Sequence, residues 1–126
     1  MTKSSIQEPT FLILTALAAG PQHGYGIMTD VASISGDRVR LRAGTLYAAL
    51  DRLRADGVVD VDREEIVDGR LRRYYKLTPP GAQLLAAEAA RLSANAKAAT
   101  NRLRRHAAGA AGMVRAAGAA LARGAA

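Results

Sequence analysis

Three kinds of side chain in this sequence could do chemistry, and they fall close together along the chain. Cations cluster twice: Arg38, Arg40 and Arg42 form one run, and Arg70, Arg72, Arg73 and Lys76 another. Guanidinium and ammonium groups neutralise phosphate oxygens and hydrogen-bond to them, which is the chemistry of holding a polyanion. Tyrosines stand nearby: Tyr25 within His23-Gly24-Tyr25-Gly26, Tyr47, and the pair Tyr74-Tyr75, each with a phenolic donor. The third group is marked by smallness. Gly44, Thr45 and Ala48, ahead of Arg52, let a helix backbone approach base edges. Ala48 or the Thr45 methyl can then meet a thymine methyl, and Arg52 a guanine or a phosphate. The plainer alternatives are packing filler for Ala48 and solvated surface for Arg52.

Catalytic chemistry is not indicated. His23 and His106 are separated by most of the chain, with no pairing motif for a metal or a nucleophile around either, so no cofactor or metal is expected. The absence of cysteine removes disulfides, thiolate-ligated zinc and a thiol nucleophile. The 126 residues amount to about one domain. A net charge of +7 and a pI near 10.6 favour a polyanionic partner, nucleic acid or an anionic membrane surface. The longest apolar run, Phe11 to Ala19, is far short of the roughly 20 residues a membrane span needs, and a cytoplasmic protein is expected.

The elements that must position these groups follow from periodicity and punctuation. Glu8-Pro9-Thr10 opens a nearly all-apolar helix that Gly20-Pro21 closes, so it should be buried on more than one side. Ile27, Val31 and Ile34 form the stripe of a short second helix ending by Ser35-Gly36. Val39 and Leu41 alternate with Arg38, Arg40 and Arg42, which reads as a short strand with one basic face. A third helix starts near Gly44-Thr45, buries Leu46, Leu50 and Leu53, and ends at Gly57. At 100° per residue, Gly44, Ala48, Asp51, Arg52 and Ala55 point away from that stripe, with Tyr47 on the flank.

Two alternating runs flank Asp68-Gly69, a hairpin signal. Parity places Tyr75 on the core face and Tyr74 on the exposed face, unless a β-bulge reverses them. Thr78-Pro79 then starts a long alanine-rich helix carrying Leu85, Leu92, Ala99 and Leu103, a weak seven-residue repeat. Of the hydrophobic residues, 28 are alanine, so part of the core is expected from a partner chain. The order predicts a mainly α fold with a small β-hairpin (α+β). It is a winged helix-turn-helix over residues 1–78 with a dimerisation helix over 79–106, followed by an Ala/Gly-rich tail, 107–126, that is frayed helix or disordered. Arg70, Arg72, Arg73 and Tyr74 on the wing would meet a duplex; cross-strand ion pairing with the neighbouring carboxylates is the alternative. Tyr25, at the start of the second helix, would meet a phosphate or pack on the third helix.

Five stretches in order carry a resemblance: Pro9-Thr10-Phe11-Leu12-Ile13-Leu14, His23-Gly24-Tyr25-Gly26-Ile27, Gly44 to Leu53, Asp56-Gly57-Val58-Val59 and Arg72 to Thr78. Together they resemble the PadR family of bacterial transcriptional regulators, in its short form with one C-terminal helix. The resemblance implies a homodimeric repressor bound to an inverted-repeat operator in double-stranded DNA. It also implies a dimer interface of first and last helices (Phe11, Leu14, Leu85, Leu92, Ala99, Leu103), and a small-molecule effector of unspecified identity that weakens operator binding. The chain departs from the usual family pattern at Ala48, where proline commonly follows the tyrosine. A winged helix that binds proteins without specific DNA binding is the rival reading. Membrane binding through Arg102, Arg104 and Arg105 lacks a broad apolar face to accompany it.

Overall fold

The computed structural model describes residues 6–125, and side chains as far as Gly118. In chain order the elements are α1 (Glu8–Ala18), β1 (Gln22–His23), α2 (Gly24–Ile34), α3 (Ala43–Ala55), β2 (Val59–Val67), β3 (Arg70–Leu77) and α4 (Pro79–Ala125). The three helices and the hairpin fall where the sequence punctuation puts them. The fold is mainly helical with a small antiparallel sheet in the order β1-β3-β2.

The first compact unit ends at Ala89. Its core takes Leu12, Ile13, Leu14 and Leu17 from α1, Ile27 and Val31 from α2, and Leu46, Leu50 and Leu53 from α3, all buried. Val59 and Tyr75 close it from the sheet, and Leu84 and Leu85 from the first turns of α4 pack against it. Gln22 clips the helices together: its side-chain amide donates to the Ala16 carbonyl at 2.9 Å and to the Asp30 carboxylate at 3.1 Å. Arg38, in the α2–α3 connection, pairs with Glu8 at the start of α1.

Several expectations are corrected. Val39 and Leu41 do turn inward while Arg40 and Arg42 face solvent, but the segment is not a strand. The sheet edge beside β3 is held by Gln22–His23, paired to Tyr75 and Tyr74, so the alternating segment has no ladder to join. Ile34 is exposed, because α2 turns off through Gly36 and Asp37, both at positive φ, before its last turn reaches the core. Leu14, assigned to a dimer interface, is fully buried within its own chain and has no surface to offer a partner. The stretch 107–125 is helical, continuous with α4, where frayed helix or disorder was expected. Alanine between the glycines supplies enough helix propensity to offset the roughly 1 kcal/mol each glycine costs. Residue 126 lies outside the described residues.

At the tip of the hairpin, Asp68 and Gly69 both take positive φ, 52° and 77°. This is the primed turn whose twist matches that of the strands. A register shift leaves Asp62 opposite no residue, between the pairs Val61↔Tyr75 and Arg63↔Tyr74. The bulge lies in β2, so the alternation of β3 survives and Tyr75 is the core tyrosine.

The start of α4 presses on the loop that follows α3. A Cβ at Gly81 would stand 2.0 Å from the Val58 carbonyl oxygen, whereas one at Gly109 would meet nothing within 4 Å. Gly81→Ala should therefore destabilise the fold by about 1–3 kcal/mol through overpacking. Gly109→Ala should stabilise by up to about 1 kcal/mol. Thermal denaturation of the two variants beside the parent checks the pair, and a Gly81→Ala melting temperature equal to the parent's would contradict the close approach.

Candidate nucleic-acid interface

The interface is built around α3. Its buried stripe, Leu46, Ala49, Leu50 and Leu53, fixes the helix on the core. By the same 3.6-residue geometry Gly44, Thr45, Ala48, Asp51, Arg52 and Ala55 are exposed. Arg42 caps the helix start without a side-chain hydrogen bond and is exposed. Small residues thus occupy the leading part of the outward face, and a basic residue sits one turn further on.

Two concavities flank α3. On one side, Gly44, Thr45, Ala48 and Arg52 border a groove of about 860 Å³ whose apolar wall comes from Ile6, Ile13, Leu41 and Leu84. On the other, between α3, the start of α2 and the wing, lies a cleft of about 480 Å³. Tyr25, Tyr47, Arg70, Arg72 and Arg73 all line it, with His23, Gly24, Val67, Leu71 and the acidic Asp68. Residues far apart in sequence therefore meet at one site. Tyr25 is 71% exposed, which removes the option of packing on α3. Tyr47 is half exposed; its hydroxyl occupies the space that a Cβ on Gly24 would need, at 2.2 Å. That glycine is what lets the start of α2 and the flank of α3 approach so closely.

The wing cations divide into two sets. Arg73 hydrogen-bonds to Glu64, its cross-strand partner, at 2.8 Å. Arg63 bonds both Asp62 and Glu65 at 3.0 and 2.9 Å. Cross-strand ion pairing, the alternative reading of the wing, is therefore real for Arg73, whereas both Arg63 pairs lie within β2. Arg70, Arg72 and Lys76 make no ion pair among the described residues, and Arg70 and Arg72 border the cleft.

Tyr74 departs from its expected place. It is half-buried, because Arg63 stacks over its ring at 3.9 Å and the His23 ring meets it edge-on at 5.5 Å. Tyr74 does not line the cleft, and its ring is held by this packing within the wing. The Glu65 carboxylate nearby is held below the ordinary range first by the Arg63 hydrogen bond and further by Tyr74 and the positive charge of Arg72. His23 is the residue that sequence reasoning passed over. Only the β1–β3 pairing brings it to Tyr74, and a two-residue strand leaves no alternation to read.

Burial, followed by the positive charge of Arg72, holds the His23 imidazole below its ordinary value of 6.5. A histidine whose folded pKa is depressed adds stability above the unfolded value, and that stability is lost as pH falls below about 6.5, where the unfolded chain takes up the proton first. Denaturant midpoints measured from pH 7.5 down to 5 should fall more steeply for the parent than for His23→Gln. Parallel profiles would contradict the assignment.

Among the described residues no helix is long and apolar enough to cross a membrane. Residues 13–87 match the model of the transcriptional regulator PadR-like family. The chain is 47% identical over 85 residues to an uncharacterised 37.1 kDa protein of a Streptomyces fradiae transposon, a match covering 65% of this chain and 23% of that protein. It is 41% identical over 69 residues to the transcriptional regulator Rv3488 of Mycobacterium tuberculosis, covering 55% of this chain and 61% of that one. The chain thus spans less than two thirds of the length of either relative. Its fold is similar to that of Bacillus subtilis PadR, solved in complex with operator DNA, with a TM-score of 0.58 and 24% identity over 64% of this chain and 46% of the other. The match covers most of the winged unit and the start of α4, and the chain belongs to the PadR-like family of transcriptional regulators, a family of regulators and not of enzymes.

Proposed function

We propose that the protein is a homodimeric, sequence-specific DNA-binding repressor that a small-molecule effector releases from its operator. In this reading α3 enters the major groove with Gly44, Thr45 and Ala48 against base edges, and Arg42 and Arg52 reach phosphates or, for Arg52, a guanine. The observation that carries it is the cleft beside α3, where Tyr25, Tyr47, Arg70 and Arg72 converge near the start of α2, with one carboxylate, Asp68, among them. Two phenols and unpaired guanidinium groups facing the same space suit the sugar-phosphate strand that borders a major groove. Operator DNA in the Bacillus subtilis structure supports the same use of the fold.

Dimerisation is supported by α4. Leu92 and Leu103 are 40% and 65% exposed, and with Leu85 and Ala99 they recur on one side of the helix. A second copy of α4 would cover them, with half-buried Phe11 adding from α1. The pair would present its α3 helices about 34 Å apart, matching successive major grooves of an inverted repeat. An effector bound in the groove along α3 would press on Thr45, Ala48 and Arg52. Among the described residues that groove has no aromatic lining on which a flat ring could stack.

Selection of bound fragments from random DNA should enrich a palindrome. If about 6–10 phosphates are neutralised, log affinity should fall against log salt with a slope of about −5 to −9. Arg70→Ala with Arg72→Ala should weaken all duplexes alike and shallow that slope by about 2, whereas changes at Thr45 or Ala48 should reorder the preferred sequences. Salt-independent binding, or equal loss on every sequence from both sets, would overturn the reading.

Leu92→Glu with Leu103→Glu should give a monomer by light scattering and weaken operator binding at least tenfold, since two linked half-sites become one. A dimer that survives both charges would remove α4 as the interface.

A further inference from the structure

The wing bears a pair of side chains that neither the core nor the phosphate contacts explain. Ile66 and Leu71 stand directly opposite each other across β2 and β3, one rung back from the Val67↔Arg70 pair that closes on the turn. They are 70% and 60% exposed. Alternation along β3 puts them on the same face as Tyr75, but the rung between is the Glu64–Arg73 ion pair. A charged rung therefore separates two large aliphatic side chains from the core at the outer end of the hairpin.

The surroundings name the occupant. Arg70 and Arg72 adjoin Leu71 in sequence, on the alternate face of β3, and make no ion pair among the described residues, although Glu65 stands opposite Arg72 and Asp68 sits in the turn, so the apolar tip is flanked by two cations. Leu71 also lines the cleft with Tyr25 and Tyr47, which makes the tip continuous with the surface assigned above to DNA. Aliphatic side chains edged by cations fit a duplex minor groove, whose walls are sugar C–H groups between two phosphate rows. Isoleucine and leucine are among the side chains that wedge against base steps there.

We propose that the Ile66–Leu71 pair is a specificity element: an apolar wedge that seats the wing tip in the minor groove beside the α3 contact. It selects sequence by how readily that groove opens. The proposal rests on the DNA-binding reading. The minor groove is about 6 Å wide, narrower than a two-stranded tip with its side chains, so seating requires widening. Widening is least costly at flexible pyrimidine–purine steps and most costly in stiff, narrow A-tracts. The pair makes no hydrogen bond to a base, so its selectivity lies at positions that carry no direct readout.

The test uses the full chain and two duplexes that share one selected core, with wing-side flanks of either TA and CA steps or an A-tract. Affinities are measured at fixed salt for the parent, for Ile66→Ser with Leu71→Ser, and for Arg70→Ala. The parent should prefer the flexible flank by about fivefold or more. The serine variant should bind both duplexes near the weaker level, with its salt slope and melting temperature unchanged, because it removes no charge and no core contact. Arg70→Ala should keep the flank preference while its salt slope shallows by about 1. A serine variant with the parent's preference would overturn the wedge, as would a parent that favours the A-tract, the signature of an arginine in a narrow groove. A serine variant that changes oligomeric state while keeping its DNA affinity would assign the pair to protein contact instead. Failure of the parent to bind any duplex would remove the DNA-binding reading itself, whereas an unchanged flank preference removes only the wedge.

Discussion

One threonine holds the ends of α3, the wing and α4 together. The Thr78 hydroxyl donates to the Gly57 carbonyl at 2.7 Å and accepts from the Gly81 N–H at 3.1 Å, while its backbone N–H donates to the Val58 carbonyl at 3.2 Å. Gly57 is itself the left-handed residue that closes α3, with the Val58 N–H reaching back to the Leu53 carbonyl. The residues that leave α3 and those that leave the wing are thus bonded to each other, and the cap of α4 is made by the same side chain. That arrangement sets where the wing stands relative to α3, and so the width of the cleft between Tyr47 and Arg72. In the DNA-binding reading proposed above this spacing matters, because a phosphate strand offers the two sides a fixed separation.

The electrostatic character of the surface follows from pairing more than from charge count. Residues 36–76 carry basic and acidic groups in similar number, yet the two signs are not equally available. Glu64 satisfies Arg73, Glu65 and Asp62 satisfy Arg63, and Glu8 and Asp37 satisfy Arg38 and Arg40. Among the described residues, Arg42 and Arg52 on α3 and Arg70 and Arg72 on the wing are left outside these pairs. Exposed pairs of this kind are worth no more than about 1 kcal/mol each, so they add little to stability. Their effect is to leave guanidinium groups outside ion pairs at α3 and the wing tip, where Asp51 and Asp68 also stand outside these pairs.

Much of this is legible in the amino-acid sequence alone. The stripes Ile27/Val31 and Leu46/Leu50/Leu53, the Asp68-Gly69 turn and the Thr78-Pro79 cap are local signals, each set by residues within a few positions of one another. They suffice for element order and for the outward face of α3. What escapes is decided by partners distant in sequence. Val39 and Leu41 have the alternation of a strand but do not pair, whereas Gln22 and His23 show no pattern and take the place beside β3. Leu14 looks available because α1 is apolar all round, and only the packing of the other elements on it shows that side to be filled. Tyr74 has the parity of an exposed residue, and Arg63 and His23 cover it from two neighbouring strands. Pairing by the wing carboxylates is one of two readings the sequence allows; which cations they neutralise depends on the register.

The unpaired Asp62 separates two properties that a regular hairpin ties together. Beyond it the ladder resumes with Arg63 opposite Tyr74, so omitting that single position would leave every remaining cross-strand couple intact. What would go is the extra twist that a bulge gives its strand, and the hairpin would swing its far end to a new bearing with the same residues on it. The aim of the wing and most of its chemistry are therefore adjustable apart: a lineage could re-point the arm through one codon in β2, giving up only the carboxylate that Asp62 lends to Arg63.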